Sequence, residues 1–87
     1  MEVEGNIISG EFDQVNGEFI LQRVKHFPTE STLKRNQFNS LYNYLEKHKN
    51  DGEGQILTLY DQLLVRLSPE EITVFMDDLD DIRPMYH

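Results

Sequence analysis

Four carboxylates crowd into five positions near the end of the chain, and their spacing allows two kinds of chemistry. Asp77, Asp78, Asp80 and Asp81 could offer oxygen ligands to a hard divalent cation, or an acidic surface to a basic partner. The surrounding residues show helical periodicity. At about 100° per residue, Asp77, Asp78 and Asp81 lie on the helix face opposite its apolar stripe, with Val74 among them.

This arrangement carries a local cost. Carboxylates within a turn and a half repel one another, and those past the middle of the helix oppose its dipole. A local cost without a local gain can indicate function. We therefore predict that Val74, Asp77, Asp78, Asp80 and Asp81 form a partner-binding face that docks a basic protein surface. The alternative is a solvated helix face whose charge keeps the protein soluble, as is common for charged outer faces.

A metal site, a cofactor site and an active site are not expected. Ca²⁺ takes about six to eight oxygen ligands around it, whereas a straight helix offers oxygens from one side only. The three histidines are isolated in the sequence, and no nucleophile, phosphate-loop or metalloprotease motif is present. A chain of 87 residues has a modest core with little room for a substrate pocket. We predict that the protein is not an enzyme.

The run from Lys49 to Tyr60, KNDGEGQILTLY, partly resembles the loop of the EF-hand calcium-binding family. The resemblance matches Asp51, Glu53, Gly54 and Ile56 to the third, fifth, sixth and eighth loop positions. The first and twelfth positions, normally Asp and Glu, are here Lys49 and Tyr60, so both principal anchors of the ion are missing. We interpret the run as a connection between two helices.

A basic segment occupies the centre of the chain and raises nucleic-acid binding as an alternative function. Residues 23–49 carry six bases and two acids. Lys34 and Arg35 could contact phosphates or another anion, and Tyr42 could stack on a base. However, the pI is about 4.6, far below that of typical nucleic-acid-binding domains. Direct nucleic-acid binding is therefore not expected, and internal pairing with the acids is the simpler interpretation.

The N-terminal part predicts a β-hairpin. Asn16 and Gly17 both accept the positive φ angles of a tight turn, so we expect Val15 to pair with Glu18. Gly10 indicates a bulge or a close approach of two backbones. In this register Ile8, Phe12, Phe19 and Leu21 share the core face, and Ile20, Gln22 and Val24 lie on the other face.

Three helices are predicted after the hairpin. The first begins with Thr29 as N-cap and runs to about Lys49. The segment 55–67 fits either a helix or two strands, and its leucines at i, i+3, i+4 and i+7 spacing favour the helix. Ser68, Pro69 and Glu71 start the last helix with a capping box, and Pro84 ends it.

Composition places these elements in one small α+β domain, a β-hairpin packed on three helices, with ββαββα as the alternative. The chain has no cysteine, its first residues are acidic rather than signal-like, and no apolar run can span a membrane. A cytoplasmic location follows as an expectation. The absence of alanine and the abundance of Asn, Lys, Glu and Ile indicate an AT-rich genome, such as that of a phage or mobile element. The predicted core comprises Ile8, Phe12, Phe19, Leu21, Phe38, Leu41, Leu45, Leu59, Leu63, Leu67, Ile72, Phe75 and Leu79.

The charges are sorted along the chain into blocks of −5 (residues 1–22), +4 (residues 23–49) and −7 (residues 50–87), which sum to −8. A small acidic protein of this kind attracts basic partners. We therefore expect an intracellular protein-binding module, an inhibitor or adaptor. A nucleic-acid-associated protein and a self-associating structural subunit are the competing classes.

Overall fold

The computed structural model describes residues 1–59 and 62–86, which form two antiparallel sheets and two α-helices. The first four strands make a meander in the order β1-β2-β3-β4, and β5 and β6 pair separately. The elements are β1 (Glu2–Glu4), β2 (Ile8–Asp13), β3 (Glu18–Val24), β4 (Phe27–Lys34), α1 (Arg35–His48), β5 (Gln55–Thr58), β6 (Leu64–Leu67) and α2 (Pro69–Ile82), followed by a 3₁₀ turn at Arg83–Met85.

The α+β class is confirmed, but the prediction of three helices is wrong, since the described residues contain two. The ββαββα alternative has the right number of helices. It lacks two of the four strands that precede α1, namely β1 and β4.

The hairpin predicted around Asn16 and Gly17 is confirmed as β2 and β3, but its register is wider than expected. Phe12 pairs with Phe19 and Asp13 pairs with Glu18, so four residues form the loop and Val15 is 93% exposed. The predicted core face is nevertheless correct. The predicted and observed registers differ by an even number of residues, and such a shift keeps each side chain on the same face of the sheet.

Two irregularities in β2 and β3 decide which side chains enter the core. A Cβ on Gly10 would lie 2.1 Å from the carbonyl oxygen of Ile20, so the expected close backbone approach is confirmed. The pairing of β2 with β3 also shifts between Ser9 and Gly10. This bulge turns Val24 inward, where it is fully buried, although strict alternation predicted the opposite face.

The helix predicted with Thr29 as N-cap begins five residues later, with Lys34 at the N-cap position. Residues 27–34 instead form β4, which pairs with β3. The burial of Ser31 and Leu33 alternates with the exposure of Glu30 and Thr32, which is the period of a strand. The helix starts only at Arg35, where the Gln37 side chain accepts a hydrogen bond from the Lys34 N–H at 2.9 Å.

The helix predicted over residues 55–67 is wrong, and the segment forms the β5–β6 hairpin, with residues 60 and 61 outside the described part. Leu57 and Val65 pair across the two strands and point inward. Ile56 and Leu64 lie on the outer face and are 53% and 63% exposed. The spacing of the leucines fits both the period of a helix and the period of a strand. The strands form because they bury the inward-pointing side chains.

The start of α2 is as predicted. The Ser68 N–H donates to Glu71 Oε1 at 2.8 Å, and the Glu71 N–H donates to Ser68 Oγ at 3.2 Å. Such a reciprocal pair satisfies two N–H groups that a helix start leaves open.

The core lies between the four-stranded sheet and the two helices. Every predicted core residue is buried except Leu41 and Leu63, which are partly buried against it. The core also contains side chains that the predicted core did not include: Ile7, Val24, Leu33, Leu57, Val65, Met76 and Ile82.

Candidate functional site

The predicted partner-binding face of α2 is only partly a surface. Asp77, Asp80 and Asp81 are exposed and Val74 is half-buried. Asp78 is only 2% exposed, so its assignment to the docking face is wrong. The correction follows from the position of Asp78 on the helix, one turn from Phe75 and from Ile82, both fully buried.

Asp78 serves the fold instead, by closing the turn between β1 and β2. One carboxylate oxygen accepts the Asn6 N–H at 2.8 Å, and the other accepts the N–H groups of Ile7 at 2.8 Å and Ile8 at 3.1 Å. The Asn6 side-chain amide donates a further bond at 3.2 Å. Any side chain at Gly5 would meet the carboxylate, since a Cβ there would lie 2.6 Å from Asp78 Cγ.

The acids that remain on the surface join an acid from the other helix. Glu46 of α1 and Asp77 and Asp80 of α2 line a cleft of about 190 Å³ between the helices. Tyr42, Lys49 and Met76 line the same cleft. We call this site the acidic cleft. Among the described residues, no cation lies within salt-bridge distance of its three carboxylates.

Tyr42 borders the acidic cleft, and its ring already contacts another side chain of the protein. The Arg83 guanidinium lies over its ring, 3.9 Å from the centroid, a cation–π geometry. Burial, together with a hydrogen bond that its hydroxyl donates to Asp80, raises the pKa of Tyr42. One ring face is therefore covered by a side chain of the same protein, which weakens the case for Tyr42 as a base-stacking residue.

The other two residues of the nucleic-acid alternative lie elsewhere. Lys34 and Arg35 are exposed at the start of α1. Tyr42 is seven residues further on, about 10 Å along the helix axis. Arg35 lines a different cleft, which it shares with Arg83 and Tyr86. Arg83 lines the same cleft as Arg35 and covers the ring of Tyr42, and anion binding by Lys34 and Arg35 stays a prediction.

The loop with the EF-hand resemblance does not connect two helices. Residues 55–58 form β5, and the twelfth loop position, Tyr60, lies outside the described residues. Asp51 accepts one hydrogen bond from the Gln55 side-chain amide at 3.0 Å and contacts His48 Nδ1 at 2.8 Å. Within residues 1–59 and 62–86, no three His, Asp or Glu side chains are grouped closely enough to hold an ion.

Comparisons with protein-family models, curated proteins and solved structures gave no match. No helix in the described part of the chain has the length and apolar content to cross a bilayer. Function is therefore inferred from the geometry of the acidic cleft and its surroundings.

Proposed function

We propose that the protein is a small binding module, an inhibitor or adaptor, that docks a basic surface of a partner protein through the acidic cleft. One observation carries the proposal: carboxylates from two separate helices, Glu46 from α1 and Asp77 and Asp80 from α2, converge on one cleft. Unlike a row of acids on one helix, this convergence needs the tertiary fold. Carboxylates that line one cleft attract a cation to it.

The lining of the cleft suits a long basic side chain. An arginine or lysine of the partner would lay its aliphatic stem along Met76 and Thr73, which line the cleft, and place its charged head among the carboxylates. A guanidinium could bind one carboxylate through two parallel hydrogen bonds. Lys49 borders the cleft and the Arg83 guanidinium lies over Tyr42, so an incoming cation competes with these two positive charges.

Charge outside the cleft supports the same encounter. Asp81 is exposed on α2, and the whole chain carries a net charge of −8. Such a field speeds the approach of a basic protein and makes association sensitive to salt. Val74 is half-buried and packs against the core, so it offers only a small apolar contact beside the acids.

The test compares two triple variants with the same change in net charge. The first, Glu46→Gln with Asp77→Asn and Asp80→Asn, neutralises the acidic cleft. The matched control, Glu2→Gln with Glu11→Gln and Glu30→Gln, neutralises three exposed acids of the four-stranded sheet. Wild-type protein captures its partner from the native host, and mass spectrometry identifies it. Affinity of the purified partner for each variant is then measured over a range of salt concentrations.

We expect the cleft variant to bind at least about tenfold more weakly, which is about 1.4 kcal/mol, with a flatter salt dependence. The control variant should lose much less affinity, because its acids act on the partner only through the long-range electrostatic field. Equal losses in the two variants would show that net charge alone drives binding and would contradict docking at the cleft.

A further inference from the structure

A second groove runs along the free edge of β5, on the other flank of α1. Its walls include Leu33, Leu41, Tyr44 and residues 56–59, and it encloses about 360 Å³. Successive side chains of a strand point to opposite faces. A groove that touches four successive residues therefore runs along the strand edge rather than over one face. We call it the edge groove.

The hydrogen bonds of the β5–β6 hairpin leave that edge open. Leu59 N–H donates to the Leu63 carbonyl at 2.9 Å, so bonded and non-bonded pairs alternate from that point down the hairpin. Ile56 and Thr58 fall in the non-bonded pairs with Arg66 and Leu64, and their N–H and C=O groups point away from β6.

The same alternation is visible on the opposite edge. The carbonyl of Arg66, which pairs with Ile56, points outward and accepts a hydrogen bond from Lys25 Nζ at 3.2 Å. Among the described residues, nothing bonds to the backbone of Ile56 or Thr58. The outward N–H and C=O groups repeat at every second residue of β5. Another extended backbone has donors and acceptors at the same spacing and can pair with them.

The groove walls suit an apolar peptide side chain. Leu33 and Leu57 are 2% and 4% exposed and supply an apolar floor. Tyr44 and Ile56 stand higher on the walls, at 39% and 53% exposed. The Tyr44 hydroxyl donates to Gln55 Oε1 at 2.6 Å, which ties α1 to the start of β5 and gives the groove a fixed end.

We infer that the edge groove binds an extended, positively charged peptide segment of another protein, which adds a strand to β5. Charge decides between this occupant and a second copy of the chain. Two copies, each with a net charge of −8, repel one another, whereas a basic segment is attracted. The inference is independent of the acidic cleft. Tyr42 and Glu46 lie roughly 140° around α1 from Leu41 and Tyr44, at about 100° per residue.

The probe is a pool of seven-residue synthetic peptides with lysine at both ends and alternating apolar (Val, Ile, Leu) and polar (Thr, Ser, Gln) residues between them. Binding is followed by amide hydrogen exchange and NMR shifts of the full chain. A second pool has the same side chains with N-methylated backbone nitrogens on alternate residues, which removes the donors that edge pairing needs.

Two proline variants form a matched pair. Thr58→Pro removes an outward N–H from the β5 edge, and Leu64→Pro removes the equivalent N–H from the β6 edge of the same hairpin, since the two residues pair. Neither substitution removes a ladder hydrogen bond. We expect the pool to protect the amides of Ile56 and Thr58, Thr58→Pro to weaken binding about tenfold, and Leu64→Pro to leave it within about twofold.

Four results would overturn the inference. They are no binding of the pool at about 1 mM, equal binding of the N-methylated pool, equal effects of the two proline variants, and amide protection that depends on protein concentration without peptide. The last result would identify a second copy as the occupant. If Thr58→Pro does not fold, the N-methylated pool on the wild-type chain still decides the question.

Discussion

Two turns of the four-stranded sheet are each closed by one aspartate carboxylate. One aspartate is close in sequence to the turn that it closes, and the other is far from it. At the β2–β3 turn, Asp13 accepts the N–H of Val15 at 3.0 Å and of Asn16 at 3.2 Å, and the Asn16 side-chain amide at 2.8 Å. At the β1–β2 turn, Asp78 accepts the same kinds of donors from residues 70 to 72 positions earlier.

The two carboxylates do the same chemistry in different surroundings. The Asp13 bonds are exposed to water, which competes for both the donors and the acceptor. The bonds from Ile7 and Ile8 to Asp78 are buried, so their loss would leave N–H groups without water to replace the acceptor. Leaving a buried donor unsatisfied costs more than losing an exposed hydrogen bond. The Asp78 turn should therefore contribute more to stability.

The distant closure also ties together the two ends of the chain. Asp78 joins the last helix to the first two strands, and Tyr86 adds a second link by donating to the Leu33 carbonyl at 2.7 Å. Closing the β2–β3 turn with Asp13 orders only neighbouring residues. The difference predicts a ranking of three substitutions.

Asp78→Asn should have the largest effect. The amide keeps one acceptor oxygen but places an NH₂ group against backbone donors, and it removes the charge that strengthens these bonds. We expect a loss of about 3 kcal/mol in the free energy of unfolding, measured by urea denaturation. Asp77→Asn is the control, because Asp77 is the exposed neighbour of Asp78 on the same helix. It should change stability by less than about 0.5 kcal/mol. Similar losses in both variants would contradict the distinction between the two turns.

Tyr86→Phe should have an intermediate effect. The ring keeps its contacts with Phe12 and Phe38, at centroid distances of 4.9 Å each, and only the hydroxyl bond is lost. We expect a loss of about 1 kcal/mol, measured by the same urea denaturation.

The titration of Tyr86 checks the partial burial of the same side chain. Burial raises its pKa from the ordinary value of 10.0 to about 12, so the fold favours the protonated phenol. The stabilisation is complete below pH 10, falls once the unfolded chain ionises, and is lost as the pH rises through 12. Ultraviolet absorbance of tyrosinate should show a transition near pH 12 that is missing from Tyr86→Phe. A variant with an unchanged titration curve would refute this assignment.

Asp13→Ala should have the smallest effect of the three at neutral pH. Hydrogen bonds from the Asn16 backbone, and then from the Asn16 side chain, lower the pKa of Asp13 from its ordinary value of 3.8. A lowered pKa means that the stabilisation is present above the unfolded value and is lost as the pH falls through the folded value. The difference between wild type and Asp13→Ala should therefore shrink on acidification, in unfolding midpoints measured as a function of pH. A loss as large as that of Asp78→Asn would reverse the ranking.

The contrast between local and long-range contacts also explains which elements the sequence predicts. The capping pair of Ser68 and Glu71 and the turn at Asn16 and Gly17 depend on residues a few positions apart. The capping pair was placed correctly, and the turn was placed in the right loop with a register error of two residues. The start of α1 was misplaced because Pro28, Thr29 and Glu30 match a helix start. Pairing of residues 27–34 with β3 overrode that local preference.

The candidate site also has features that depend on near neighbours in sequence and features that depend on distant residues. The exposure of Asp77 and Asp81 could be predicted from the apolar stripe on the opposite face of α2. The burial of Asp78 could not, because the donors it serves lie at the other end of the sequence. Glu46 was not among the predicted site residues, and only the packing of α1 against α2 brings it to the acidic cleft.

The sequence by itself determines the α+β class, the hairpin position, the start of α2 and the excess of acidic charge, because each depends on composition or on contacts between near neighbours. Only the tertiary structure decides that residues 55–58 and 64–67 form strands, that Asp78 is part of the fold, and that acids from two helices share a cleft. These outcomes depend on which buried groups find partners across long stretches of chain, and spacing along the sequence does not encode that pairing.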